Sequence, residues 1–315
     1  MPQVTRIATT DLDVSRWCLG GNVFGWTADE TASFAVLDEY VASGGTFIDT
    51  ADVYSQWADG NSGGESESII GRWLSVRGKR DDVVIATKVG KATGLQQLDA
   101  VTIVTAAEAS LRRLGTDRID LYYAHFDDLA TPLVETLTAF DRLVREGKVR
   151  HIAASNIGAD RLQAALDTSR REGLVSYIAV QPAYNLVQRD EYEGALQDVV
   201  VARGLAAIPY YGLAEGFLTG KYRPGGRPVT SERAEDAAVY LDSRGLRVLD
   251  ALDAIAAGRA LPVAAVALAW VAAQPGVVAS IASARTPEQV AALAPALMLR
   301  LGADELAALD QASRG

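Results

Sequence analysis

The amino-acid sequence predicts an α/β protein of the (β/α)8 class, a TIM barrel in a single domain. Two observations carry this expectation. Short apolar runs of strand length alternate with amphipathic segments of helix length, and eight such units fill most of the 315 residues. A third observation is negative: residues 20–25 read GGNVFG, which does not match the Gly-x-Gly-x-x-Gly turn of a doubly wound dinucleotide-binding sheet. In chain order, strands are expected at 17–20 (WCLG), 46–49, 83–87, 118–124, 149–154, 175–181, 205–210 and 277–281. These runs are apolar almost throughout, as suits parallel strands covered on both faces. Helices are expected at 28–43, 66–77, 101–114, 132–146, 159–171, 194–203 and 242–257, the first with a capping box of Thr27 and Glu30. Thr286, Pro287 and Glu288 read as the start of another short helix. Residues 211–240, rich in Gly, Pro and charge, form one long irregular stretch, and a loop of that size in a compact domain is usually functional, often a lid.

Forty acidic residues against 30 basic ones give a net charge of −10. Such a surface repels a nucleic-acid backbone or an anionic membrane, so the expected partner is a small molecule. The single cysteine, Cys18, excludes an internal disulfide and a cysteine-rich metal site, and reads as a small core hydrophobe. No metal is expected. The longest apolar run, Val263 to Ala273, is shorter than the roughly 20 residues of a membrane span. Asp11 and Asp13 fall where a secretory leader would carry its apolar core, so a cytoplasmic protein is expected. Residues 216–222, GFLTGKY, approach a phosphate-binding loop. They have one residue too few between the glycines, and Tyr222 where Ser or Thr should hold magnesium.

In a barrel of this class the reacting groups gather at the C-terminal ends of the strands. Reading the polar residues there gives Asp49 after the second strand, Tyr54 in the loop beyond it, Lys88 closing the third strand and His125 closing the fourth. A phenol of pKa about 10 is a poor proton donor at neutral pH. A lysine ammonium about 4 Å away, at an effective dielectric of about 20, favours its ionised form by about 4 kcal/mol. Asp49 would keep Lys88 charged and in place, and His125 would orient the substrate oxygen. This set suits proton transfer to a carbonyl oxygen, with the hydride supplied by another molecule. Taken one at a time, Asp49 fits a turn residue, Tyr54 a packing aromatic, Lys88 a solvated charge and His125 a core histidine. Their joint order and spacing favour the catalytic reading. His151, inside VRHIAAS, reads as structural.

The stretches FIDTADVY (47–54), GESESIIG (64–71), IATK, LYYAHFDD, VRHIAASN, VQPAYN, PYYGLAEGFLTGKY (209–222) and SIASARTPEQ run in one order along nearly the whole chain. They resemble the aldo-keto reductase superfamily. The resemblance implies a (β/α)8 barrel that binds NADPH without a Rossmann domain and reduces aldehydes and ketones. It carries the family's catalytic Asp, Tyr, Lys and His onto Asp49, Tyr54, Lys88 and His125. It also implies a cofactor groove. Ser155, Asn156 and Gln181 would bind the nicotinamide carboxamide, beside Asp49, and Tyr210 would stack on the ring. Gly21 and Asn22 would lie in the first βα loop, and Leu213, Gly216 and Lys221 over the pyrophosphate. Ser283, Arg285 and Gln289 would lie toward the 2′-phosphate and adenine. The chain departs from the common pattern at Tyr211 and Gly212, at Ala282 and Ser283, and at Leu293, where an adenine-binding asparagine is frequent. Trp26, Tyr54, Trp57, His125 and Phe126 would wall the substrate pocket, which suits an apolar or ring-shaped carbonyl compound. Two other readings are a cofactor-binding regulatory subunit similar to potassium-channel β subunits, and a Schiff-base lyase or isomerase using Lys88.

Overall fold

In the computed structural model, which describes residues 4–226 and 229–314, the chain opens with a hairpin. Its strands are β1 (Val4–Arg6) and β2 (Asp13–Ser15), paired antiparallel. Eight further strands follow: β3 (Trp17–Gly20), β4 (Phe47–Asp49), β5 (Val84–Val89), β6 (Ile119–Ala124), β7 (Val149–Ser155), β8 (Tyr177–Gln181), β9 (Ala206–Ala207) and β10 (Ser280–Ala282). They form one parallel sheet in the order β10-β3-β4-β5-β6-β7-β8-β9. Backbone bonds from Ala207 N to Gly276 O (2.8 Å), Val278 N to Ala207 O (3.0 Å) and Ile281 N to Pro209 O (2.8 Å) join its two ends. The result is the expected (β/α)8 barrel.

Helices follow the strands in the expected rhythm: α1 (Glu30–Ala42), α2 (Glu65–Arg77), α3 (Ala100–Leu114), α4 (Leu133–Arg145), α5 (Ala159–Glu172), α6 (Ala195–Ala202), α7 (Ala234–Ala238), α8 (Ser243–Arg259), α9 (Val263–Val271), α10 (Pro287–Leu293) and α11 (Ala303–Ser313). Among the described residues no single helix is long and apolar enough to cross a membrane.

The buried side chains form two groups, divided by the two-residue period of a strand. Cys18, Phe47, Ala86, Leu121, Tyr123, Ala153, Ala179, Ala206, Ala279 and Ile281 fill the barrel interior, and Ile7, Leu12 and Val14 of the hairpin segment join that same cluster. Leu19, Ile48, Ile85, Tyr122, Ile152 and Val180 belong to the outer core with the helices. The same parity carries the interior rows on toward the C-terminal mouth. Phe47 leads to Asp49, Ala86 to Lys88, Tyr123 to His125, Ala153 to Ser155, Ala179 to Gln181, Ile208 to Tyr210 and Ile281 to Ser283. The fold thus delivers a polar or aromatic side chain from seven of the eight strands to a single opening, the first strand ending there on Gly20.

Three expectations need correction, and the helix over the run from Val263 was not expected. The α1 cap is Asp29, whose side chain accepts from Ala32 N (2.8 Å), and not Thr27. Trp26 N, Thr27 N and Ala28 N all donate to Val23 O, so Thr27 lies inside a tight turn two residues before the cap. The strand expected at 205–210 is regular only at Ala206–Ala207; Pro209 has no N–H to give, and beyond it single bonds such as Tyr210 N to Pro182 O (3.0 Å) continue the pairing. The apolar run from Val263 is α9, buried from Ala264 to Val271; a helix apolar all round shows no periodicity to read. The irregular stretch 211–240 holds a kinked 3-10 turn at Ala214–Thr219 and the helix α7, with Arg227 and Pro228 outside the described residues.

Candidate active site

Lys88 occupies the centre of the mouth with none of its side chain exposed. Its ammonium donates to Asp49 Oδ2 (2.5 Å), Tyr54 Oη (2.8 Å) and the Thr50 carbonyl (2.9 Å), so all three of its protons are used. The Tyr54 hydroxyl lies 3.3 Å from Asp49 Oδ2, and Gln181 Nε2 donates to Asp49 Oδ1 (2.9 Å). Asp49 is therefore held from both sides, and the Lys88–Asp49 pair is buried but fully hydrogen-bonded. That is the condition under which an ion pair survives in a protein interior.

The electrostatic balance on Tyr54 differs from the sequence expectation. Burial, and then the Asp49 carboxylate, push the phenol well above its ordinary range despite the adjacent ammonium. Desolvation penalises phenolate, and Lys88 spends part of its field on Asp49. The phenol therefore stays protonated through neutral pH. His125 packs edge-on to Tyr54 with ring centroids 6.2 Å apart, and its Nδ1 is buried without a partner. Burial, then Lys88 and Lys91, hold His125 well below the usual imidazole range, so it is neutral and carries one N–H.

Above this floor Trp57 lies edge-on to Tyr54 (6.1 Å) and Trp26 edge-on to Trp57 (5.6 Å), with Trp57 49% exposed at the opening. Phe126 makes no ring contact with this set and leans on the outer core, where a Cβ on Gly90 would meet its ring at 2.8 Å.

The residues expected around a cofactor fall into two groups. Beside Asp49, Ser155 Oγ donates to Gln181 O (2.9 Å), Asn156 Nδ2 to His125 O (2.8 Å), and Tyr210 Oη to Asn156 Oδ1 (2.8 Å). Ser283 Oγ bonds Asn22 Oδ1, and a Cβ on Gly21 would meet Ser66 Oγ at 2.8 Å, so position 21 has no room for a side chain. Farther out, Leu213 and Gly216 (φ 93°) belong to the kinked turn, and exposed Lys221 lies with Nζ 5.0 Å from the Tyr222 ring. Gln289 Oε1 accepts from Arg285 N (2.8 Å), while the Arg285 guanidinium has no partner among the described residues. Leu293 is buried in the outer core. His151 pairs with Asp11 (3.0 Å) away from the mouth, as a structural residue would.

One cluster behind the mouth was not singled out from the sequence, although it lies in the motifs FIDTADVY and GESESIIG. Glu67 of α2 accepts from Thr87 Oγ1 (2.6 Å) and from Arg113 Nε (2.6 Å). Beside it, both Asp52 carboxyl oxygens and the Tyr122 hydroxyl are buried without partners. Burial, then the Glu67 carboxylate, push the Asp52 carboxyl up to about 7, against smaller downward pulls from Arg113 and Lys88. The folded state thus keeps a proton that the unfolded chain loses near pH 4. Stability from this group is present at low pH and falls as pH rises from about 4 to about 7, by about 4 kcal/mol at most. Asp52→Asn is expected to remove this decline, which thermal unfolding of both proteins at pH 5 and pH 8 measures. The same decline in the variant would assign it to another group.

The aldo/keto reductase family model matches residues 16–314, and the chain belongs to that family. Among relatives, "Uncharacterized oxidoreductase YrpG" of Bacillus subtilis (strain 168) is 34% identical over 301 residues, 91% of this chain and 89% of its own. "Aldo-keto reductase YhdN" of the same organism is 32% identical over 304 residues, 92% and 87% of the two chains. A "Probable voltage-gated potassium channel subunit beta" of Oryza sativa subsp. japonica is 31% identical over 298 residues, 91% and 89%. The family and these names make the chain an oxidoreductase of the aldo-keto reductase class.

Proposed function

We propose that this chain reduces an aldehyde or ketone to the alcohol, reversibly, with NADPH as the reductant. The observation that carries the reading is the Lys88 ammonium, fixed between Asp49 (2.5 Å) and the Tyr54 hydroxyl (2.8 Å) beneath an aromatic wall. The donor set fits the cofactor. Ser155, Asn156 and Gln181 offer amide and hydroxyl groups for a carboxamide. The Tyr210 ring lies beside them, Gly21 and Asn22 lie in the first loop, and Ser283 after the last strand bonds Asn22. Lys221 and Arg285 are cations in a chain of net charge −10. Leu213, Gly216 and Lys221 would cover the pyrophosphate, and Arg285 with Gln289 the 2′-phosphate end.

NADPH, when bound, supplies a hydride to the carbonyl carbon. Tyr54 gives its proton to the carbonyl oxygen, and the charge left on the phenol is met by Lys88 at 2.8 Å. Asp49 holds Lys88 in place. The neutral His125 donates one hydrogen bond to the substrate oxygen without adding a second full charge beside Lys88. The Trp26, Trp57 and Tyr54 rings favour an apolar or ring-bearing substrate, with Phe126 farther back.

Loss of NADPH absorbance with a panel of aldehydes and ketones tests this reading, and no turnover with any of them overturns it. The similarity to the channel β subunit raises the alternative of a partner-binding role, which the same assay separates. A Schiff base at Lys88 is disfavoured by its full burial and its three hydrogen bonds. Arg285→Ala is expected to weaken NADPH binding by roughly 10- to 100-fold, the worth of one charge-assisted hydrogen bond, and to leave NADH nearly unchanged. Calorimetric titration of both cofactors checks it; equal losses would make Arg285 a structural residue.

A further inference from the structure

We propose that Arg233 is a positioning residue that ties the substrate wall to the cofactor-covering segment, so that a ring-bearing substrate and the cofactor tighten each other's binding. The inference rests on the reductase reading above and adds a residue that neither the sequence motifs nor the family comparison assigns. Ala214 (φ 47°), Glu215 (φ 55°) and Gly216 (φ 93°) are three consecutive residues in the left-handed region. Two of them are not glycine, and such backbone persists only where its surroundings hold it. Backbone bonds from Ala214 N to Tyr211 O (2.7 Å) and Gly216 N to Leu213 O (2.9 Å) close the turn, and the side chain that anchors it is Arg233, whose Nη1 donates to Glu215 Oε2 at 2.6 Å. Both side chains are largely withdrawn from solvent, 12% exposed for Glu215 and 27% for Arg233.

The same guanidinium lies 5.8 Å from the Trp26 ring centre. Trp26 touches Trp57, and Trp57 touches Tyr54. One guanidinium therefore connects the turn holding Leu213 and Gly216 to the aromatic wall over the proton donor. With the turn displaced, Glu215 withdraws, Arg233 loses its anchor, and Trp26 loses the cation stacked on it. A cofactor that holds the turn down then favours the wall conformation that a ring substrate needs, and by linkage the substrate favours the cofactor equally.

The test uses NADP+ with acetophenone, a pair that cannot react, and reads the NADP+ dissociation constant by calorimetry with and without the ketone. Butanone, which lacks a ring, is the control. In the parent, acetophenone is expected to tighten NADP+ by about 5-fold or more, within the usual range of coupling between sites, and butanone to have little effect. Arg233→Met and Glu215→Gln should bring the factor toward one, with Arg233→Lys retaining part of it because lysine can still pair with Glu215. Tryptophan fluorescence on NADP+ addition should change less in Arg233→Met than in the parent. The proposal is overturned if the parent shows no coupling, if butanone couples as strongly as acetophenone, or if Arg233→Met keeps the full factor. A parent that binds no NADP+ would overturn the reductase reading itself.

Discussion

Tyr54→Phe is expected to lower carbonyl turnover by roughly 10²-fold or more, the usual worth of a positioned proton donor. The ring keeps its edge contacts with Trp57 and His125, so the wall and the cofactor groove stay as they are. Binding of NADPH should be nearly normal, which fluorescence titration measures beside the rate. The pH dependence supplies a second readout. Burial and Asp49 keep the phenol protonated, so reduction by the parent should run level across neutral pH. The reverse oxidation needs the phenolate as base, so its rate should climb with pH. A variant that reduces carbonyls at the parental rate would remove Tyr54 from the proton step.

Lys88→Met should cut turnover by about 10²- to 10³-fold, the cost of losing a preorganised charge at the developing anion. It has a second consequence for stability. Asp49, 1% exposed, would lose its cation and remain a buried carboxylate, which costs about 3–5 kcal/mol. Asp49→Asn combined with Lys88→Met should recover much of that stability without recovering turnover. In Lys88→Met, which keeps the Asp49 carboxylate beside the phenol, Tyr54 should ionise at still higher pH, moving the oxidation profile upward. Thermal unfolding and a pH series on the parent and the two variants separate the two effects. Parental activity in the double variant and an unchanged profile in Lys88→Met would show that Lys88 supports only the fold.

Asp49, Tyr54, Lys88 and His125 were legible because a strand has a period of two and a parallel barrel has one functional end. Those rules place residues 49, 88 and 125 together without coordinates. Their mutual charge balance was not legible. The sequence suggested that Lys88 would ease proton loss from Tyr54. The structure shows burial and Asp49 outweighing it, because desolvation depends on how deeply a group is enclosed. Asp52 and Glu67 lie in motifs already quoted, but nothing in their spacing shows that one is satisfied and the other left without partners.

The sequence by itself determined the barrel, the order of its strands and which side chains face the mouth, because period and chain order are local properties. The N-terminal hairpin, the helical state of the run from Val263 and the true cap of α1 came only with the tertiary structure. Burial and competing hydrogen bonds decide those, and neither is written in a local pattern. The same holds for the link from Glu215 through Arg233 to Trp26. Its three residues are far apart in sequence, and only the folding of the long βα loop over the first one brings a carboxylate, a guanidinium and an indole within reach of one another.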